Sequence, residues 1–226
     1  MMNSKKILYC LEQLSDEKSK IGMQKFGINT EKAFGISIKK LRELAKEYGK
    51  NHSIALELWK SGFHEARILA SMMANAQLMN SEEMNVWVEC FNSWDLCDQV
   101  CGNLFEDSPL AYKKATEWVN SEKEFIKRAG FVMMARLAVS DKKKEDSYFL
   151  PFFELIIRDA TDERNFVKKA VNWALRQIGK RSFYLREQSI LCINKLLKTE
   201  NKTAQWIAKD ALKELSNENI IKRIKR

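Results

Sequence analysis

Three stretches of this chain repeat one another at a nearly constant spacing. Each opens on an aromatic residue followed by an aliphatic residue, then basic residues and an alanine. They are Phe125-Ile126-Lys127-Arg128-Ala129, Phe166-Val167-Lys168-Lys169-Ala170 and, more loosely, Trp206-Ile207-Ala208-Lys209-Asp210-Ala211, at spacings of 41 and 40 residues. A period of about 40–47 residues with only helical patterning is what HEAT-type helix pairs produce. Phe63-His64-Glu65-Ala66-Arg67 is a weaker earlier copy, separated from Phe125 by a differently shaped stretch.

Within each copy the apolar residues recur at helical spacing. Phe166, Ala170, Trp173, Ala174 and Ile178 make one broad stripe, with Lys168, Lys169 and Arg176 outside it. Thr161-Asp162-Glu163-Arg164 predicts an N-cap, and Gly179 a helix end. Ser108-Pro109 reads as a cap followed by proline at the first helical position. Ser37, after Phe34-Gly35-Ile36, is placed to cap the helix through Leu41 and Leu44.

The chain has 226 residues, and only two prolines and eight glycines interrupt it. So few breakers favour long helices with short connections over sheets. The predicted fold is all-α, an α-α superhelix of about a dozen helices, mostly 10–18 residues long. It forms one HEAT-like-repeat domain over residues 1–226, a curved solenoid with a basic concave face. Asp141-Lys142-Lys143-Lys144-Glu145-Asp146 reads as a solvated loop. The tail from Ile220 to Arg226 reads as a basic helix end or a frayed arm.

Lys and Arg number 39 against 30 acidic residues, a net charge of +9. That excess predicts attraction to anionic partners without specifying a fold. No stretch reaches the roughly 20 apolar residues of a membrane span, and the start MMNSKKILYC lacks a signal-peptide core. A cytoplasmic monomer without membrane association is expected. The five cysteines are an odd set, so a disulfide framework is not expected. Cys90, Cys97 and Cys101 fall at helical offsets, as buried small apolar residues would. A cluster would want a fourth nearby cysteine, and no metal or cofactor is expected.

Four residues inside the helical pattern stand out: Trp94, Asp98, Arg128 and Trp173. They supply two aromatic faces, a carboxylate and a permanent cation on a basic chain. That set suits a cationic, stackable group attached to a polyanion, such as an alkylated purine in DNA. Trp94 and Asp98 are four apart and would share one helix face, with Asp95 near the helix N-terminus. Each also has a plain reading: Trp94 and Trp173 as core, Asp98 as a local cap or pair, Arg128 as part of a solvated face. Arg128 and Trp173 lie in neighbouring copies of the repeat, so all four are expected on one concave surface. Lys127, Lys168, Lys169, Arg176, Lys180 and Arg181 are candidate phosphate neutralisers.

Ser-Trp-Asp-Leu-Cys-Asp at 93–98 resembles the Ser-Trp-Asp-x-x-Asp signature of the AlkD-type DNA alkylation repair family, which are HEAT-like-repeat DNA glycosylases. The stretch 166–181 is similar to its second signature, Ile126-Lys127-Arg128-Ala129 to a third and Phe34-Gly35-Ile36 to its N-terminal element. The resemblance runs from about residue 20 to residue 200. It implies that Asp98 is the catalytic carboxylate, that Trp94 and Trp173 contact the lesion deoxyribose and backbone, and that Arg128 contacts the DNA backbone. Phe26 falls where some relatives have tyrosine and Ser37 where some have glutamine, which places both among the DNA-contacting positions.

The implied substrate is double-stranded DNA containing N3- or N7-alkylpurines, cleaved at the N-glycosidic bond without conventional base flipping. Two other readings stand beside it: a non-catalytic HEAT-repeat protein recognising damaged or branched DNA, and a protein-interaction scaffold.

Overall fold

In the computed structural model, which describes residues 3–224, the chain is all-helical, with no strand among the described residues. Its contacts divide it into two compact units, residues 1–110 and 111–226.

The first unit holds α1 (Ser4–Gln13), α2 (Glu17–Lys25), α3 (Ile38–Tyr48), α4 (His52–Lys60), α5 (His64–Met73), α6 (Ser81–Glu89) and α7 (Trp94–Asn103). Short polar side chains start most of these helices by accepting a backbone N–H left unpaired in the first turn. Asn3, Asp16, Ser37, Asn51 and Asn80 all do so, and Ser37 accepts from Lys40 N at 3.3 Å, as its position predicts. Asn80 and Glu83 complete a reciprocal capping box. Helices α3, α5 and α7 pack in succession as one layer, with α4 against α5. The core between them includes Leu41, Leu58, Leu69 and Leu96, all at or near zero exposure.

The second unit holds α8 (Ala111–Trp118), α9 (Glu124–Ser140), α10 (Leu150–Asp159), α11 (Asn165–Gly179), α12 (Phe183–Leu197), α13 (Lys202–Leu215) and α14 (Glu218–Ile221). Helix α9 packs on α8 and α11, and α11 on α13, so the odd-numbered helices again form one layer. The repeat marks that layer. Phe125 and Phe166 are each the second residue of their helices and meet at 5.5 Å between ring centroids, while Trp206 lies one turn into α13. Phe149, Phe152, Ile178 and Leu215 close the core.

Several local expectations shift. The stretch between the copies that open at residues 63 and 125 holds α6, α7 and α8, with α7 opening on Trp94 behind its N-cap Ser93. Cys90 caps the C-terminus of α6, so it does not share a helix face with the buried Cys97 and Cys101 of α7. The α11 cap is Arg164, which makes no side-chain cap bond. Asp162 instead accepts from the Arg164 backbone N–H and grips its guanidinium. Helix α8 begins at Ala111, just after Ser108 Oγ has accepted from Leu110 N in a turn.

Gly179 does end α11, for reasons of packing. A Cβ there would sit 2.7 Å from Leu215 and 2.8 Å from Ser189 Oγ. Gly35 is required by its backbone, with φ at +81° and the Asp16 carbonyl 2.3 Å from where a Cβ would stand. The loop at 141–146 forms as expected. Arg181 holds it in place by donating to the carbonyls of Ala138, Asp141 and Lys144. The tail forms α14, and Lys225 and Arg226 lie outside the described residues. No described helix is long and apolar enough to cross a membrane.

Candidate functional site

In the first unit the chemistry gathers at the N-terminus of α7. Trp94 is its first residue, Asp95 lies in its first turn, and Asp98 stands one turn beyond Trp94. Trp94 and Asp98 are both half-buried. The indole N–H of Trp94 donates to the Phe26 carbonyl at 3.0 Å, which ties α7 to the end of α2. The Phe26 ring itself is 71% exposed. Phe26 and Trp94 are therefore brought together, through backbone on one side and side chain on the other.

Asp95 anchors this turn from behind. One of its carboxylate oxygens lies 2.9 Å from His64 Nε2, the imidazole of the first residue of α5, and both side chains are largely buried. Burial raises the Asp95 carboxyl, but the hydrogen bond and charge of His64 outweigh it and hold the pKa below the ordinary carboxylate value. His64 also meets the N-terminal loop, where its backbone N–H donates to the Lys32 carbonyl at 2.7 Å.

Glu65 is the residue that sequence reasoning missed here. It is 1% exposed, and its carboxylate accepts from the backbone N–H groups of Phe34, Gly35 and Ile36 at 2.7, 2.7 and 3.2 Å. A buried carboxylate needs such donors, and three converging amides supply them. The Phe-Gly-Ile element is thus a backbone cradle for Glu65, and Phe34 stacks on Phe63 at 4.6 Å. The available signal was a lone carboxylate within the Ala-Ile-Leu-rich start of α5.

In the second unit, the predicted cations separate by what they touch. Lys127 is buried, 3.3 Å from Asp159 and 3.9 Å from Asp162. Arg128 is 6% exposed, and its guanidinium donates to the Phe166 carbonyl at 2.7 Å, across the α9–α11 contact. Arg176 and Lys180 both bind Glu214, whose own burial is outweighed by these two partners so that its pKa is lowered. Arg181 binds Asp146 at 3.2 Å besides clamping its loop. Lys169 is exposed, and Lys168 is half-buried with its ammonium 5.6 Å from the Trp206 ring. A cation already neutralised by its own carboxylate gains less from a phosphate, so Lys168 and Lys169 remain the stronger phosphate candidates.

Trp173 is half-buried on α11, beside the Gln177 amide, whose oxygen accepts its indole N–H at 2.9 Å once that amide is turned over. Helices α11 and α13 pair along a seam with a regular register. Lys168 meets Trp206, Asn172 donates to Asp210 at 2.6 Å, Arg176 meets Asp210 and Glu214, and Lys180 meets Glu214. Among the described residues no group of three or more His, Cys, Asp or Glu is placed to hold a metal ion.

A family model described as DNA alkylation repair enzyme matches residues 7–215. No curated protein matches the chain. The structure is similar to a solved one described as "A new family of proteins related to the HEAT-like repeat DNA glycosylases with affinity for branched DNA structures". The similarity covers 100% of this chain and 98% of that one, at 22% identity and a TM-score of 0.81. The fold is therefore that of the HEAT-like-repeat DNA glycosylases, and the chain belongs to the DNA alkylation repair enzyme family.

Proposed function

We propose that the protein is a monofunctional glycosylase that releases N3- or N7-alkylated purines from double-stranded DNA. The observation that carries this reading is the first turn of α7, where Trp94 and Asp98 are stacked one turn apart and Asp95 and Phe26 hold the turn in place.

An alkylated purine already carries positive charge. When its N-glycosidic bond breaks, the bonding electrons move to the base, which leaves neutral without a proton donor. The deoxyribose becomes an oxocarbenium-like cation, and Asp98 stabilises it, orients the water that adds to it and accepts the proton that water gives up. At ~4 Å and an effective dielectric near 20, that attraction is worth about 4 kcal/mol, on the order of 10³-fold in rate. Trp94 supplies an aromatic face for the sugar and its backbone. In the second unit, Trp173 is assigned a similar contact, and Arg128, Lys168 and Lys169 are assigned to phosphates. Phe26 and Ser37 are the N-terminal DNA-contacting candidates. The chemistry uses only the carboxylate and water, and calls on no cofactor.

A second reading is binding of branched DNA without excision, favoured by the affinity described for the structurally similar protein. Incubation with duplex DNA containing N7-methylguanine separates the two. Free base together with an abasic strand supports the glycosylase. Binding without base release supports the second reading.

A further inference from the structure

We propose that the outward stripe of α13, centred on Trp206, binds a single-stranded DNA segment beside the duplex. The inference rests on the protein binding DNA and not on base excision. Lys202, Trp206, Lys209 and Lys213 follow one another at offsets of four, three and four residues, which places them on one narrow face of the helix. All four are exposed, and Trp206 is 42% exposed. Asp210 stands one turn beyond Trp206 and borders this face, with Glu214 a turn further on, and Asn172, Arg176 and Lys180 of α11 take both carboxylates up.

The first rung of the α11–α13 seam differs from the later ones. Where those hold Asp210 and Glu214 against α11 donors, this rung holds the Trp206 ring against the Lys168 ammonium. Lys168 thus meets an indole where the cations further along the seam meet carboxylates. The result is an exposed indole with a cation beside its ring and three lysines along its helix.

An exposed tryptophan covers apolar surface poorly unless a partner stacks on it, and every unpaired base offers a flat face. Cations at successive turns match a phosphate backbone. An aromatic platform within a basic track is the chemistry that holds single strands without sequence preference. Within a duplex the stacked pairs present no free face to the indole, so the stripe favours an unpaired strand over a blunt duplex.

The test is fluorescence anisotropy with a duplex of about 20 base pairs, either blunt or carrying a thymidine tail of about 10 nucleotides. Wild type is expected to prefer the tailed duplex by about tenfold. Trp206→Ala should abolish that preference and leave blunt-duplex affinity unchanged, while Trp206→Phe retains most of it. Replacing Lys209 and Lys213 with alanine should flatten the salt dependence on the tailed duplex by about 1.4 in log–log slope. Equal wild-type affinity for both duplexes, or an equal loss on both in Trp206→Ala, overturns the proposal. Release of N7-methylguanine by the same proteins is read separately. A preserved tail preference without base release defeats the glycosylase and leaves this inference standing.

Discussion

Glu65 makes three backbone hydrogen bonds from a site closed to solvent, and its removal is expected to be felt throughout the N-terminal loop. Glu65→Gln retains one acceptor but turns an N–H₂ toward amide donors. It should cost about 3 kcal/mol, a fall in Tm of roughly 6–12 °C. An unchanged Tm would mean that the loop is held by other contacts. Asp95 makes a pH-dependent contribution. Its folded pKa is lowered, so its stabilisation is complete above the unfolded value near 4 and is lost as pH falls through the folded value. Asp95→Asn should therefore flatten this part of the acid-unfolding curve, and an acid limb identical to wild type would contradict it. These two residues also mark what was legible. The role of Ser37 could be read because a cap bonds three residues downstream. The donors to Glu65 lie 29 to 31 residues upstream, and the imidazole facing Asp95 lies 31 residues away, so no local pattern announces either.

Helices show the same division between what is local and what is not. The aromatic-aliphatic-basic motif announced α9, α11 and α13 because each copy places those residue types near the start of a helix in one layer. The start of α7 is legible from the Trp94–Asp98 spacing, and the stretch 161–164 does cap α11, with Arg164 as the cap residue and Asp162 accepting its backbone N–H. The cations of α9 and α11 make a paired prediction. Lys127 is buried against Asp159, so Lys127→Ala should cost about 3 kcal/mol and leave the salt dependence of DNA binding unaltered. Lys169 is exposed, so Lys169→Ala should leave Tm unchanged and reduce the log–log salt slope by about 0.9 if it meets a duplex phosphate. Thermal denaturation together with a salt titration of duplex affinity reads both. The reverse pattern would exchange their assignments.

Across the whole molecule, fold class was the most legible property. Scarce helix breakers, a repeat of about 40 residues and helical spacing of apolar positions all pointed to an α-α repeat, and residues 93–98 and 166–181 pointed to the family. The net charge of +9 favours DNA of any sequence, and the proposed contacts to sugar and phosphate carry no base code. Chemistry would then be set by the lesion itself, whose positive charge weakens its own glycosidic bond, and by the carboxylate that meets the resulting sugar cation. The central claim is that Asp98 is that carboxylate. The most direct measurement is the single-turnover rate of N7-methylguanine release from duplex DNA by wild type and Asp98→Asn, with duplex affinity measured alongside. A fall of about 10³-fold in Asp98→Asn, with affinity equal to or above wild type, is the expected result. Release by Asp98→Asn at the wild-type rate would contradict the account.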